Sequence, residues 1–297
     1  TPVYREILIN LKGRPNEKPF HIITHTEIQC RQIQSVFGIK NVSDYPVTYI
    51  TEDEKKRIFA IDKMAWKNKL GFKPDDIVIG LFGIWAESKN RIWALKALEL
   101  LPDQYKLAFF GGIHPLSIKP FEVNANTKLI TDFFEDKTKH DPQSTLINRI
   151  KCFGVIDNDA FFNEAMGCID FCVAPYYENG QSASGTTSIA LELGSKLITT
   201  YTHMFVAHRK YWPNAFEMFD IGNYIELRDK ILYFSPDKAE NAKKHMNDYT
   251  PEKLADYYLL LSQQLIDPSY QNITSPTTAM AHARLQKTFT SCLSKLK

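Results

Sequence analysis

From Asp75 to about residue 234, short β-rich runs alternate with helical stretches, and no other feature constrains the fold as much. Ile77-Val78-Ile79-Gly80-Leu81-Phe82-Gly83 reads as a strand ending in glycine; a helical stretch over 90–101 follows, with Ile92, Leu95, Leu98 and Leu101 toward one side. Lys106-Leu107-Ala108-Phe109-Phe110-Gly111-Gly112 repeats the pattern, and after an ambiguous stretch over 113–148 comes another strand at 150–155. Phe161, Phe162, Ala165 and Met166 mark a helix by their spacing, then a strand at 169–175, a helix at 186–193, a strand at 196–200, a strand at 216–221 and a helix at 224–234. Strands of this length alternating with helices imply right-handed βαβ units and a parallel sheet covered on both faces.

The flanks are less regular. Residues 1–18 are polar, 19–24 suit a short buried strand, 27–37 a helix and 46–50 a second strand. Residues 51–74 are charged, with a helix through 64–70. Toward the end, Leu254, Tyr258, Leu261 and Leu265 form one helical stripe, and Leu285, Phe289, Cys292 and Leu296 another. The chain opens Thr1-Pro2-Val3, with no methionine and no signal pattern, so position 1 need not be the natural start.

Composition excludes several classes. With 36 Lys and Arg against 34 Asp and Glu, the net charge of +2 gives no electrostatic reason to expect a nucleic-acid polymer. No apolar run approaches the roughly 18 residues that a membrane helix needs. The cysteines (Cys30, Cys152, Cys168, Cys172 and Cys292) are odd in number, and read as buried free thiols in a reducing compartment rather than a disulfide framework.

Ligands of open parallel sheets bind at the carboxyl ends of the strands, so the residues just after each strand matter most. After the first run, Lys89 and Arg91 stand at the start of a helix, where cations oppose the helix dipole. A bound anion would resolve that conflict; a solvated surface pair is the alternative. The small polar loop from Gln181 through Ser182, Ala183, Ser184 and Gly185 to Thr186 can aim several N–H groups at one anion. Ser184 or Thr186 can equally be a plain N-cap. The third place, Gly154-Val155-Ile156-Asp157-Asn158-Asp159, is better read as a helix cap than as a metal–diphosphate site. Cys168 and Cys172 lack two further ligands for zinc.

The order of these elements resembles the donor domain of GT-B glycosyltransferases of the glycosyl transferases group 1 family. Ile79-Gly80-Leu81-Phe82-Gly83 with Glu87-Ser88-Lys89-Asn90 is similar to that family's strand, glycine and Glu-x-Lys-Gly opening. The run 150–156 with 161–165 resembles its Phe-x-Gly-x-Val strand and helix, and 170–200 its Ser-Gly loop, alanine-rich helix and Gly-Lys-Pro-Val turn. The resemblance implies a Rossmann-like donor domain over 75–235, a linker at 51–74, a truncated N-terminal acceptor-side domain at 1–50 and C-terminal helices at 236–297.

It implies donor-diphosphate contacts at Lys89, Gly83 and Ser182, Ala183, Ser184, Gly185 and Thr186, with Arg91 standing in for the family's arginine. The family's two glutamates fall at Gln181 and Ile189, so Glu178, Gln181 and Glu192 are the candidates for sugar or ribose contact, and Gly154, Val155 and Ile156 form the base-side loop. The expected activity is transfer of a sugar from a nucleotide diphospho-sugar to a glycan or lipid-linked acceptor, as in polysaccharide biosynthesis, with retention and with neither metal nor other cofactor. A separate acceptor-domain segment or protein would complete it. The expected location is cytoplasmic, with peripheral association at the inner membrane face left open. The alternatives are a non-catalytic sugar-nucleotide or partner-binding module of the same fold, and a nucleotide-sugar epimerase.

Overall fold

The computed structural model describes residues 2–12, 20–118, 124–177 and 180–266. In chain order the elements are α1 (Pro2–Lys12), β1 (Ile22–Thr24), α2 (Glu27–Phe37), β2 (Val42–Asp44), α3 (Glu52–Phe59), α4 (Lys63–Lys69), β3 (Ile77–Phe82), α5 (Ile92–Glu99), β4 (Tyr105–Phe110), α6 (Ala125–His140), β5 (Ile150–Cys152), α7 (Asp159–Cys168), β6 (Phe171–Ala174), α8 (Gly185–Glu192), β7 (Leu197–Thr200), α9 (His203–His208), β8 (Glu217–Phe219), α10 (Tyr224–Leu232), α11 (Pro236–His245) and α12 (Pro251–Ile266). They fall into two compact units, one of the described residues up to Thr48 and from Tyr249, the other Tyr49–Asp248.

In the smaller unit β1 and β2 pair in parallel around α2, with Ile22 opposite Val42. Thr26 caps α2 by accepting from Gln29 N–H, and Gly38 ends it in the left-handed conformation. Tyr45 stacks on Tyr257 at 5.6 Å and meets Tyr249 edge-on, while the Tyr257 hydroxyl donates to Ser43 Oγ at 2.6 Å. The residues of α12 that are buried are Tyr257, Leu260 and Leu261. The stripe expected from sequence is thus rotated by about one residue, and Tyr258 is half-exposed. The stripe through Leu285 lies outside the described residues.

The strand expected over 46–50 is not one. β2 ends at Asp44, and the N–H groups of Tyr49 and Ile50 donate to the Glu192 carboxylate instead of to a neighbouring strand. Pro46, with no N–H to give, cannot support a ladder there either.

The larger unit holds a six-stranded, all-parallel sheet in the order β5-β4-β3-β6-β7-β8. Alternate residues of each strand serve opposite faces. On one face Ile79, Leu81, Leu107, Phe109, Phe171 and Val173 pack with Leu95 and Leu98 of α5 and Leu227 and Ile231 of α10. On the other, Phe82 stacks on Phe110 and Phe110 on Phe153, each at 4.8 Å, beneath Trp66 of α4 and Phe161 and Phe162 of α7. Residues 51–74 contribute α3 and α4 to this unit, with Ile58, Trp66 and Phe72 buried. The stretch left ambiguous at 113–148 contains α6. Among the described residues no helix is long and apolar enough to cross a membrane. Among the described residues Cys30, Cys168 and Cys172 are buried and in no disulfide, but Cys152 is exposed.

Candidate nucleotide-binding site

Numbered within the sheet, the strand order is 3-2-1-4-5-6, so the winding direction reverses between β3 and β6. The loops leaving these two strands diverge to opposite faces and open a crevice at their carboxyl ends. Their described residues are 83–91, 176–177 and 180–184, and they include Lys89, Arg91 and Gln181 to Ser184, which the sequence singles out.

Backbone bonds lace the crevice floor together. Gly83 N–H donates to Phe110 O (2.9 Å), Trp85 N–H to Gly112 O (2.8 Å) and Tyr177 N–H to Ser88 O (3.0 Å). Gly111, at φ 153°, lets β4 pass so close to Gly83 that a Cβ there would overlap the Gly83 carbonyl. Gly111 also bridges to Gly154, whose φ of 73° turns the chain into the half-exposed Val155 and Ile156. Asn158 then caps α7 by accepting from Phe161 N–H at 3.1 Å, the helix cap expected of that stretch.

Lys89 ends a single 3₁₀ turn, Glu87–Lys89. The next residue, Asn90, is left-handed at φ 32°, where asparagine is tolerated in place of glycine. The Lys89 ammonium lies over the Tyr176 ring at 5.4 Å and 3.4 Å from Phe82 O. Among the described residues no carboxylate pairs with it. A Cβ on Gly83 would sit 2.5 Å from that ammonium and 3.5 Å from Thr186 Oγ1. Gly83, Lys89 and Thr186 therefore converge, although they are distant in sequence.

Arg91 behaves differently. It is buried, its Nη2 donates to Gly83 O (2.8 Å) and Ile84 O (3.1 Å), and its guanidinium stacks on Trp85 at 5.4 Å. Burial lowers its pKa to about 10, opposed by nearby Tyr176. Neither a solvated cation nor one facing the crevice, Arg91 braces the turn that aims Lys89. The pair expected at the helix start is thus split into one strut and one open ammonium. Beside it a cavity of about 230 Å³, lined by Trp85, Arg91, Trp93, Ile130 and Tyr177, runs between α5 and α6.

Ser184 occupies the N-cap of α8, but its side chain makes no capping bond. The first intrahelical donor is Ser188 N–H, to Ser184 O, so the amides of Gly185, Thr186 and Thr187 have no acceptor within the helix. Ser182 and Ala183 are half-buried before it, and the exposed Gln181 donates through Nε2 to Ala183 O. Glu178 lies outside the described residues. Glu192 is fully buried, and both its oxygens accept backbone N–H groups of Tyr49 and Ile50. Of the sugar and ribose candidates it is thus committed to the fold. Among the described residues no three His, Cys, Asp or Glu side chains gather as a metal site.

No family model matches the chain, and no curated protein matches it in sequence. Solved structures do. HepE from Anabaena, in complex with UDP, aligns at TM-score 0.57 and 12% identity over 98% of this chain and 70% of its own. A glycosyltransferase from Rickettsia africae aligns at 0.64 and 12% identity, covering 87% and 67% of the two chains. WaaG, a glycosyltransferase involved in lipopolysaccharide biosynthesis, aligns at 0.55 and 20% identity, covering 79% and 61%. The fold is that of the GT-B glycosyltransferases. In GT-B terms the crevice between β3 and β6 belongs to a Rossmann-like sheet of six strands, as the sequence resemblance implied. Sequence reading assigned no role to Tyr176, under Lys89, or to Tyr49, over α8. A tyrosine in a short apolar run carries no periodic signal of such a place.

Proposed function

We propose that the chain binds a nucleotide diphospho-sugar in this crevice and that the sugar is passed, with retention and without a metal, to a glycan or lipid-linked acceptor. The observation that carries the reading is the convergence of the Lys89 ammonium with the first-turn amides of α8, which have no acceptor within the helix, at the switch point of the sheet. Transfer breaks the bond between the anomeric carbon and the diphosphate oxygen, and negative charge builds on the leaving group. Preorganised N–H donors and a cation meet that charge as it develops. The acceptor hydroxyl attacks from the leaving-group side, and a phosphate oxygen of the departing diphosphate takes its proton. Residues 75–235 are the donor side in this reading, and Gly154–Ile156 face the base.

HepE was solved with UDP and with UDP-glucose, so uridine nucleotides head the list of ligands to try. Calorimetric titration with uridine, guanosine and adenosine diphosphates and their sugar conjugates tests the proposal. One base is expected to bind saturably, and Lys89→Ala to weaken it at least tenfold, as for a lost charge-assisted bond of about 1.5–3 kcal/mol. Unchanged affinity in Lys89→Ala sinks the assignment of the site. The engagement of Glu192 by backbone, with Gln181 and Ile189 where relatives are expected to carry glutamates, favours the second reading, a binding module without chemistry. Binding without sugar transfer to any acceptor would support it.

A further inference from the structure

We propose that the Tyr49 hydroxyl donates to the distal phosphate of a nucleoside diphosphate seated on the first turn of α8, and that Glu192 is the positioning residue that holds it there. The inference rests on the functional reading above.

Its origin is at the opposite end of the helix. Glu192, the last residue of α8, accepts Tyr49 N–H at 3.2 and 3.0 Å and Ile50 N–H at 2.7 Å. At 1.5 Å per residue, Gly185 lies roughly 10 Å back along the axis. The Tyr49 side chain spans much of that distance. A Cβ on Gly185 would sit 2.8 Å from Tyr49 Oη and 3.1 Å from its Cζ, so only glycine leaves room for the ring. The residue is 48% exposed, and its hydroxyl bonds to no protein group among the described residues.

Thr186, one residue on, is the neighbour of Gly83 and Lys89. Two donors from outside the helix therefore reach the same first turn whose amides are open. A terminal phosphate has more acceptor capacity than the amides and one ammonium fill. Burial, and next the Glu192 charge, raise the Tyr49 pKa above its ordinary value, which keeps the hydroxyl in its donor form. A carboxylate stripped of water is a costly way to hold a loop unless the loop's placement matters.

The test is the ratio of affinities for nucleoside diphosphate and monophosphate, measured by calorimetry with UDP and UMP, GDP and GMP, and ADP and AMP. Tyr49→Phe keeps the ring and removes the donor. We expect it to weaken the diphosphate of the base that binds about tenfold, leaving the monophosphate unchanged and thermal melting close to wild type. Glu192→Gln is expected to lower the ratio in the same sense, and to add nothing to it in a Tyr49→Phe background. Should Glu192→Gln fail to fold, Tyr49→Phe alone decides. A wild-type ratio in Tyr49→Phe, or equal losses for both nucleotides, overturns the proposal while leaving the nucleotide site standing. If the wild-type chain binds no nucleotide, the functional reading falls first and this inference with it.

Discussion

His208, the last residue of α9, turns acid into a specific threat to the larger unit. The side chain is 3% exposed, between Phe205 and Trp212. Its Nδ1–H donates to Met204 O at 2.8 Å, which leaves Nε2 as a buried lone pair with no partner among the described residues. Protonation would place a buried charge there with no acceptor among the described residues. Burial accordingly drives the pKa from 6.5 to about 4, against the opposing pull of the Met204 carbonyl. A folded pKa below the unfolded one means that the unfolded chain binds the proton first. Stability is therefore intact above pH 6.5 and falls as the pH is lowered toward 4.

Between pH 7 and pH 5 the linkage amounts to about 2 kcal/mol, since the unfolded imidazole is mostly charged at pH 5 and the folded one mostly neutral. His208→Leu keeps an apolar side chain of similar size and removes the titration. Urea unfolding of both proteins at pH 7 and pH 5 isolates the effect, because other titrating groups cancel in the comparison. Wild type is expected to lose about 2 kcal/mol more than the variant over that interval. Parallel losses in the two proteins would refute the argument.

Two further outcomes follow from the same kind of reasoning. Gly111→Ala forces a Cβ into the Gly83 carbonyl at a φ of 153°, so a loss of at least about 3 kcal/mol is expected in thermal unfolding, with weaker nucleotide binding in whatever folds. Burial raises the pKa of Glu217, but Lys238 at 2.7 Å and Lys230 at 3.3 Å outweigh it and hold the carboxyl below its ordinary 4.5. That stability is present above pH 4.5 and lost as the pH falls through the folded value. Lys238→Met is expected to cost about 2 kcal/mol at pH 7 and to flatten the acid limb of an unfolding curve.

The alternation of β-rich runs with helical stretches was enough to read the parallel sheet, because all its strands but the edge strand β5 are largely buried and announce themselves by apolar density alone. Gly83 and Gly111 were legible as strand ends for a related reason: the positions demand conformations or approaches that other residues resist. The strand expected over 150–155 stops at Cys152, ahead of the turn at Gly154. The short loop before Thr186 was legible as a helix start with open amides. Sequence misplaced the strand before α3, since 46–50 has strand composition but its N–H groups go to a carboxylate more than 140 residues away. No local pattern carries a partner at that separation.

The same limit separates Lys89 from Arg91. In sequence they are two equivalent cations flanking one asparagine. Tertiary packing buries one against the Gly83 and Ile84 carbonyls and leaves the other beside Thr186. Local chemistry thus determined which residues stand at the ends of the strands, because secondary structure follows from near neighbours. Which of them face the crevice was decided only when β3 and β6 came together, since that depends on what each side chain finds across the fold.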